Sequence, residues 1–83
     1  MPQIEIYTTP TCPYCIAAKR LLDAKGASYT EIDVTDPADR AQMRARAGRN
    51  SVPQIWIGAR HVGGCDELHA LEYAGDLDPL LKG

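Results

Sequence analysis

A repeated change of hydrophobic period most constrains what this 83-residue chain can fold into. Ile4, Ile6 and Thr8 alternate with Glu5 and Tyr7, a period-2 run that suits a strand and stops at Thr9-Pro10. From residue 13 to about 25 the apolar positions Ile16, Ala17, Leu21 and Leu22, with Ala24 behind them, fall at helical spacing. Lys19, Arg20 and Asp23 take the other face, and Gly26 stands where a helix C-cap belongs. Residues 28–34 return to a strand-like pattern. Asp36-Pro37 then supplies an N-cap and a first-turn proline, and a second helix runs from about 37 to 47 before Gly48.

Val52-Pro53 precedes the apolar run Gln54-Ile55-Trp56-Ile57. Gly58-Ala59-Arg60 reads as a tight turn and His61-Val62 as the returning strand of a β-hairpin before Gly63-Gly64. From residue 66 to 74, Leu68 and Leu71 with Ala70 form one stripe that Asp66 can cap, and Leu77, Leu80 and Leu81 offer a terminal half-turn to the core. The order β-α-β-α-β-β-α predicts an α/β domain, residues 1–83, with a four-stranded mixed sheet flanked by three helices. Phe is absent and Trp56 is the only Trp, so the core must rest on Ile, Leu, Val and Ala. The loop after the first strand lies at a C-terminal strand end, where open α/β sheets place their sites.

A formal charge of −2, from 9 basic and 11 acidic residues, creates no long-range field to gather nucleic acid or anionic lipid. No apolar run approaches the roughly 18 residues of a membrane span, and the first residues do not read as a signal peptide. A cytoplasmic location is therefore expected. Three cysteines is an odd number, and the closest two are separated by only two residues, a poor framework for stapling distant elements.

That pair, Cys12 and Cys15, stands at the head of the first helix. A metal clamp needs about four ligands. The fold would have to bring Cys65, His61 and His69 to the pair, and no second paired knuckle is present. Burial as structural cysteines is the usual fate of isolated thiols, but Pro10, Thr11, Pro13 and Tyr14 make this a loop rather than a core run. A reactive dithiol follows from helix physics: a thiol at the first turn faces unpaired backbone N–H groups and the positive end of the macrodipole, both of which favour thiolate. On that reading Cys12, the more exposed sulfur, is the nucleophile, and Cys15, one turn deeper, resolves. Pro13 starts the helix where its missing N–H does no harm.

Cys12-Pro13-Tyr14-Cys15, followed by Ser51-Val52-Pro53-Gln54-Ile55 and Gly63-Gly64-Cys65-Asp66, resembles the dithiol glutaredoxins of the bacterial type over essentially the whole chain. The resemblance implies a thioredoxin fold in which Pro53 follows a cis peptide bond opposite the dithiol. It implies that the Val52 backbone pairs with the cysteinyl part of glutathione, and that Asp66 and the Cys65 N–H hold its γ-glutamyl end, a task for which a helix start is suited. Arg40 matches the second-helix position that contacts the glycyl carboxylate, and Tyr14 the wall of the groove. Arg40, Arg44, Arg46 and Arg49 also read as a solvated basic face. Thr9 stands where these proteins commonly carry a lysine, so Thr9→Lys is expected to favour thiolate and tighten glutathione binding. Cys65 resembles a third, structural cysteine, and His61 and His69 take surface or packing roles.

The activity so implied is glutathione-dependent thiol–disulfide exchange on protein–glutathione mixed disulfides and protein disulfides. Glutathione is then co-substrate, with no metal and no resident cofactor. The partners are glutathionylated or disulfide-containing proteins, ribonucleotide reductase being one candidate, and the chain acts as a monomer. Two alternatives stand beside this. One is a redoxin reduced by thioredoxin reductase, whose Trp-Ser-Gly-Phe-Arg segment is missing around Gly63 to Asp66. The other is a dimer bridging an iron–sulfur cluster with glutathione as extra ligand.

Overall fold

The computed structural model describes residues 2–83. Alternation turns Ile4, Ile6 and Thr8 of strand β1 (Ile4–Thr8) to one buried face and leaves Glu5 and Tyr7 on the other. β1 pairs in parallel with β2 (Thr30–Asp33) and antiparallel with β3 (Gln54–Ile57), and β3 pairs antiparallel with β4 (Arg60–Gly63), giving the mixed sheet β2-β1-β3-β4. The parallel pair needs a crossover, and α1 (Pro13–Ala24) supplies it. The hairpin turns on Gly58-Ala59 alone, so that Arg60, expected in the turn, pairs with Ile57. Gly58 takes a φ of +61°, which a two-residue hairpin turn requires.

Ile4, Ile6, Ile55 and Ile57 pack against Ala18 and Leu22 of α1, Leu68 of α3 (Cys65–Ala74), and Leu77 and Leu81. This is the aliphatic core expected from the composition. Each fully buried Leu or Ile side chain in it contributes roughly 1.5–3 kcal/mol. The opposite face of the sheet is of another kind. Trp56 meets Tyr7 edge-on at 5.3 Å and His61 in a stack at 4.4 Å. Arg46, on helix α2 (Pro37–Ala47), lies 4.1 Å from the Trp56 ring and reaches the Tyr7 hydroxyl (3.0 Å) and Glu5 (2.9 Å). Asp36 caps α2 by accepting the Ala38 N–H at 2.8 Å, as its sequence predicts.

Two further expectations are corrected. The sheet is flanked by four helices rather than three: α4 (Leu77–Lys82) forms where a half-turn was expected, because α3 stops at Gly75 and burial of Leu77 and Leu81 holds a further turn against the core. Asp66 is not the N-cap of α3. Gly64 is, because Glu67 folds its carboxylate back to accept the Gly64 N–H at 2.9 Å and moves the cap two residues earlier, leaving Asp66 exposed in the first turn.

Candidate active site

Cys12 is the N-cap of α1, with an extended backbone and Pro13 in the first turn. Its sulfur accepts the Cys15 N–H at 3.3 Å, one of the donors that a helix start leaves unpaired, and its thiol faces the Val52 carbonyl at 3.8 Å. Cys12 is half-buried, whereas Cys15 is fully buried under the first turn. Burial first, and then the hydrogen bond with the Cys12 side chain, push the Cys15 thiol up to about 12. Cys15 is therefore a neutral thiol at physiological pH, and Cys12 is the sulfur a substrate can reach. Neither is bonded to another sulfur, and the same holds for Cys65.

The raised Cys15 value carries a stability consequence whose sign is fixed. Folding favours the protonated thiol, so this contribution is complete below the ordinary value of 9.0 and is lost as pH climbs from there towards about 12. Urea midpoints are expected to fall steeply over that window. Cys15→Ala should flatten the fall without removing it, since burial also raises Cys65. An unchanged slope in Cys15→Ala would contradict this assignment.

The Val52–Pro53 bond is cis. Beside it, residues 51–53, Tyr14, Arg49 and residues 64–67 enclose a groove of about 150 Å³. Gly64 permits the close approach of α3 to this segment: a Cβ there would sit 3.3 Å from the Pro53 carbonyl oxygen. Arg49 spans the groove margin to Glu67 at 2.8 Å. The Gly64 N–H and then Arg49 hold the Glu67 carboxyl below the ordinary carboxylate range, so it stays ionised at neutral pH.

The fold thus brings Tyr14, Val52, Pro53, Cys65 and Asp66 to one groove, with the Val52 carbonyl facing Cys12. Thr9 and Arg40 are placed elsewhere. Thr9 is half-buried and offers its carbonyl to the Cys12 N–H at 3.4 Å. Arg40 directs its guanidinium to the Asn50 carbonyl through Nε (3.1 Å) and an Nη (2.8 Å), and so braces the chain just before Ser51 without lining the groove. Arg49, Ser51 and Glu67 line it instead. Of these only Glu67 had a readable sign, an acidic residue three after Gly64 at a helix start. Cys65 and His69 approach one another at 3.3 Å, while His61 stacks on Trp56. Among the described residues, no three His, Cys, Asp or Glu side chains are arranged to hold a metal ion.

A helix-capping thiol over a buried partner, facing an X-Pro segment, can attack a disulfide and then be released from it. Known proteins agree with that chemistry. Residues 4–62 match the family model described as glutaredoxin. A glutaredoxin of Pseudomonas aeruginosa is 58% identical over 83 residues, which is 99% of this chain and 99% of the relative. Among solved structures, a glutaredoxin from Brucella melitensis is 58% identical with a TM-score of 0.88, covering 99% of this chain and 90% of that one. A buckwheat glutaredoxin in complex with glutathione is 31% identical with a TM-score of 0.87, covering 95% of this chain and 76% of that one. With the dithiol, the mixed sheet and full-length similarity all in accord, the chain belongs to the glutaredoxin family, as a dithiol, glutathione-dependent thiol–disulfide oxidoreductase whose active pair is Cys12 and Cys15.

Proposed function

We propose that residues 1–83 work as a single domain that removes glutathione from protein thiols and reduces protein disulfides, with glutathione as co-substrate seated in the groove beside Cys12. The observation that carries this is the 3.8 Å approach of the Cys12 thiol to the Val52 carbonyl at the groove. The Cys12 thiolate attacks the glutathionyl sulfur of a mixed disulfide. The S–S bond breaks, the client leaves as thiolate and takes a proton, and Cys12 carries the glutathionyl group. A second glutathione thiolate attacks that sulfur, giving glutathione disulfide and free Cys12. With a protein disulfide, Cys12 binds one client sulfur and Cys15 displaces it, closing the Cys12–Cys15 disulfide that two glutathiones then reduce.

In the groove, Val52 offers its backbone to the cysteinyl part, and Asp66 with the Cys65 N–H receives the γ-glutamyl ammonium and carboxylate at the start of α3. Tyr14 walls the groove. Arg49, by its position at the margin, takes the glycyl carboxylate that Arg40 was expected to bind, and Thr9 contributes no charge. The clients are glutathionylated or disulfide-bonded proteins, with ribonucleotide reductase a candidate, in the cytoplasm, and the working species is a monomer. Among the described residues no helix is long and apolar enough to cross a membrane.

Arg49→Ala and Asp66→Ala are each expected to raise KM for a glutathionylated peptide roughly tenfold or more, with kcat within a few-fold, as the loss of one charge-assisted hydrogen bond implies. Unchanged KM in both would remove the groove assignment. A visible absorption band in protein purified without oxygen would favour the cluster-bridged dimer instead.

A further inference from the structure

Gln54, the first residue of β3, is fully buried, and both ends of its amide are engaged. Nε2 donates to the Ser51 carbonyl at 3.0 Å and lies 3.2 Å from the Ser51 hydroxyl. The opposite end, Oε1, is 2.7 Å from His61 Nε2. Because the Ser51 contacts use the NH2 group, the atom facing His61 is an acceptor, and the imidazole must carry its proton on Nε2. His61 is fixed in turn by its stack on Trp56 at 4.4 Å, and the Trp56 ring lies against Arg46.

This chain of contacts ends at the groove. Ser51 lines it, and the next carbonyl, that of Val52, is the one facing Cys12. Ser51 itself is exposed, so the buried Gln54 amide ties a solvent-facing peptide back onto the sheet. Arg40 holds the preceding carbonyl, Asn50, in the same way from α2. Two successive carbonyls, those of Asn50 and Ser51, are thus held by side chains before the chain reaches Val52.

We propose that Gln54 is a positioning residue for glutathione recognition: by gripping the Ser51 carbonyl while His61 fixes its own orientation, it sets the direction in which the Val52 backbone edge meets the substrate. The proposal rests on the groove reading above. A backbone edge recognises an extended ligand only if its peptide plane is already oriented, and orienting it at the moment of binding weakens affinity.

Gln54→Met keeps the volume and removes the hydrogen bonds to Ser51 and to His61. It is expected to raise KM for a glutathionylated peptide about tenfold, the equivalent of one hydrogen bond, with kcat within about twofold. Its Tm falls as well, because His61 loses its acceptor. In Gln54→Met/His61→Phe both partners are apolar and the ring can still stack on Trp56, so Tm is expected to recover towards wild type while KM stays about tenfold raised. Recovery of KM together with Tm would overturn the proposal and make Gln54 a structural residue only. Gln54→Glu provides a second route, since it keeps an acceptor for His61 and lacks the donor for Ser51: its KM should rise similarly, and a wild-type KM in this folded variant would overturn the proposal. Arg49→Ala and Asp66→Ala, measured alongside, separate the two readings. If they raise KM and the Gln54 variants do not, only the positioning role fails; if they do not, the groove reading fails.

Discussion

Cys12→Ser is expected to abolish turnover of both glutathionylated peptides and protein disulfides, by roughly three orders of magnitude or more, since a hydroxyl at this position neither attacks nor leaves as a sulfur does. Cys15→Ser divides the two activities. It should retain deglutathionylation, which needs one sulfur, and lose reduction of protein disulfides, which needs an internal nucleophile to release the client. The asymmetry has a structural cause. Cys12 sits half-buried at the helix start with the Cys15 N–H directed at its sulfur, while Cys15 is fully buried and held as a thiol by that burial. Retained turnover in Cys12→Ser would place the nucleophile elsewhere and dismantle the mechanism.

Gly63→Ala is the second substitution expected to have a large effect. Gly63 adopts φ +111°, a conformation that side-chain-bearing residues rarely take, and a Cβ there would lie 2.6 Å from Glu67 Oε1 and 3.1 Å from Glu67 Cγ. The carboxylate would have to swing away, releasing both the Gly64 N–H that starts α3 and the ion pair with Arg49. Backbone strain of about 1–3 kcal/mol and the lost cap together suggest a destabilisation of about 3 kcal/mol. For a domain of this size that is a fall in Tm on the order of 15 °C. Gly26→Ala is the control. Gly26 also has positive φ, +68°, but a Cβ there meets nothing within 4 Å, so only the conformational cost of about 1 kcal/mol should appear. Equal effects at the two positions would show that the Glu67 contact is unimportant.

Most of the element order was legible because its punctuation is local. Pro13, Asp36-Pro37 and Gly48 each act within a turn, and the alternation in β1 assigns its faces without reference to the rest of the chain. What was not legible depends on long side chains and on tertiary burial. Four arginines along one stretch give no sign that Arg40 braces the Asn50 carbonyl, that Arg46 covers Trp56, and that Arg49 reaches the groove margin. Glu67 stands at capping-box spacing from Gly64, but Asp66 beside it offers a rival cap, and the backbone path through Gly63 and Gly64 decides for Glu67 as the one that folds back. α4 is six residues long and forms because Leu77 and Leu81 find the core, which no local preference announces. The cis bond before Pro53 was implied by family resemblance alone.

The full burial of Cys15 under Cys12 leaves the protein a single doorway. Oxidised client and reducing glutathione must come to the same sulfur, so they take turns rather than meet, and between visits one covalent bond on Cys12 holds the only record of which partner came last.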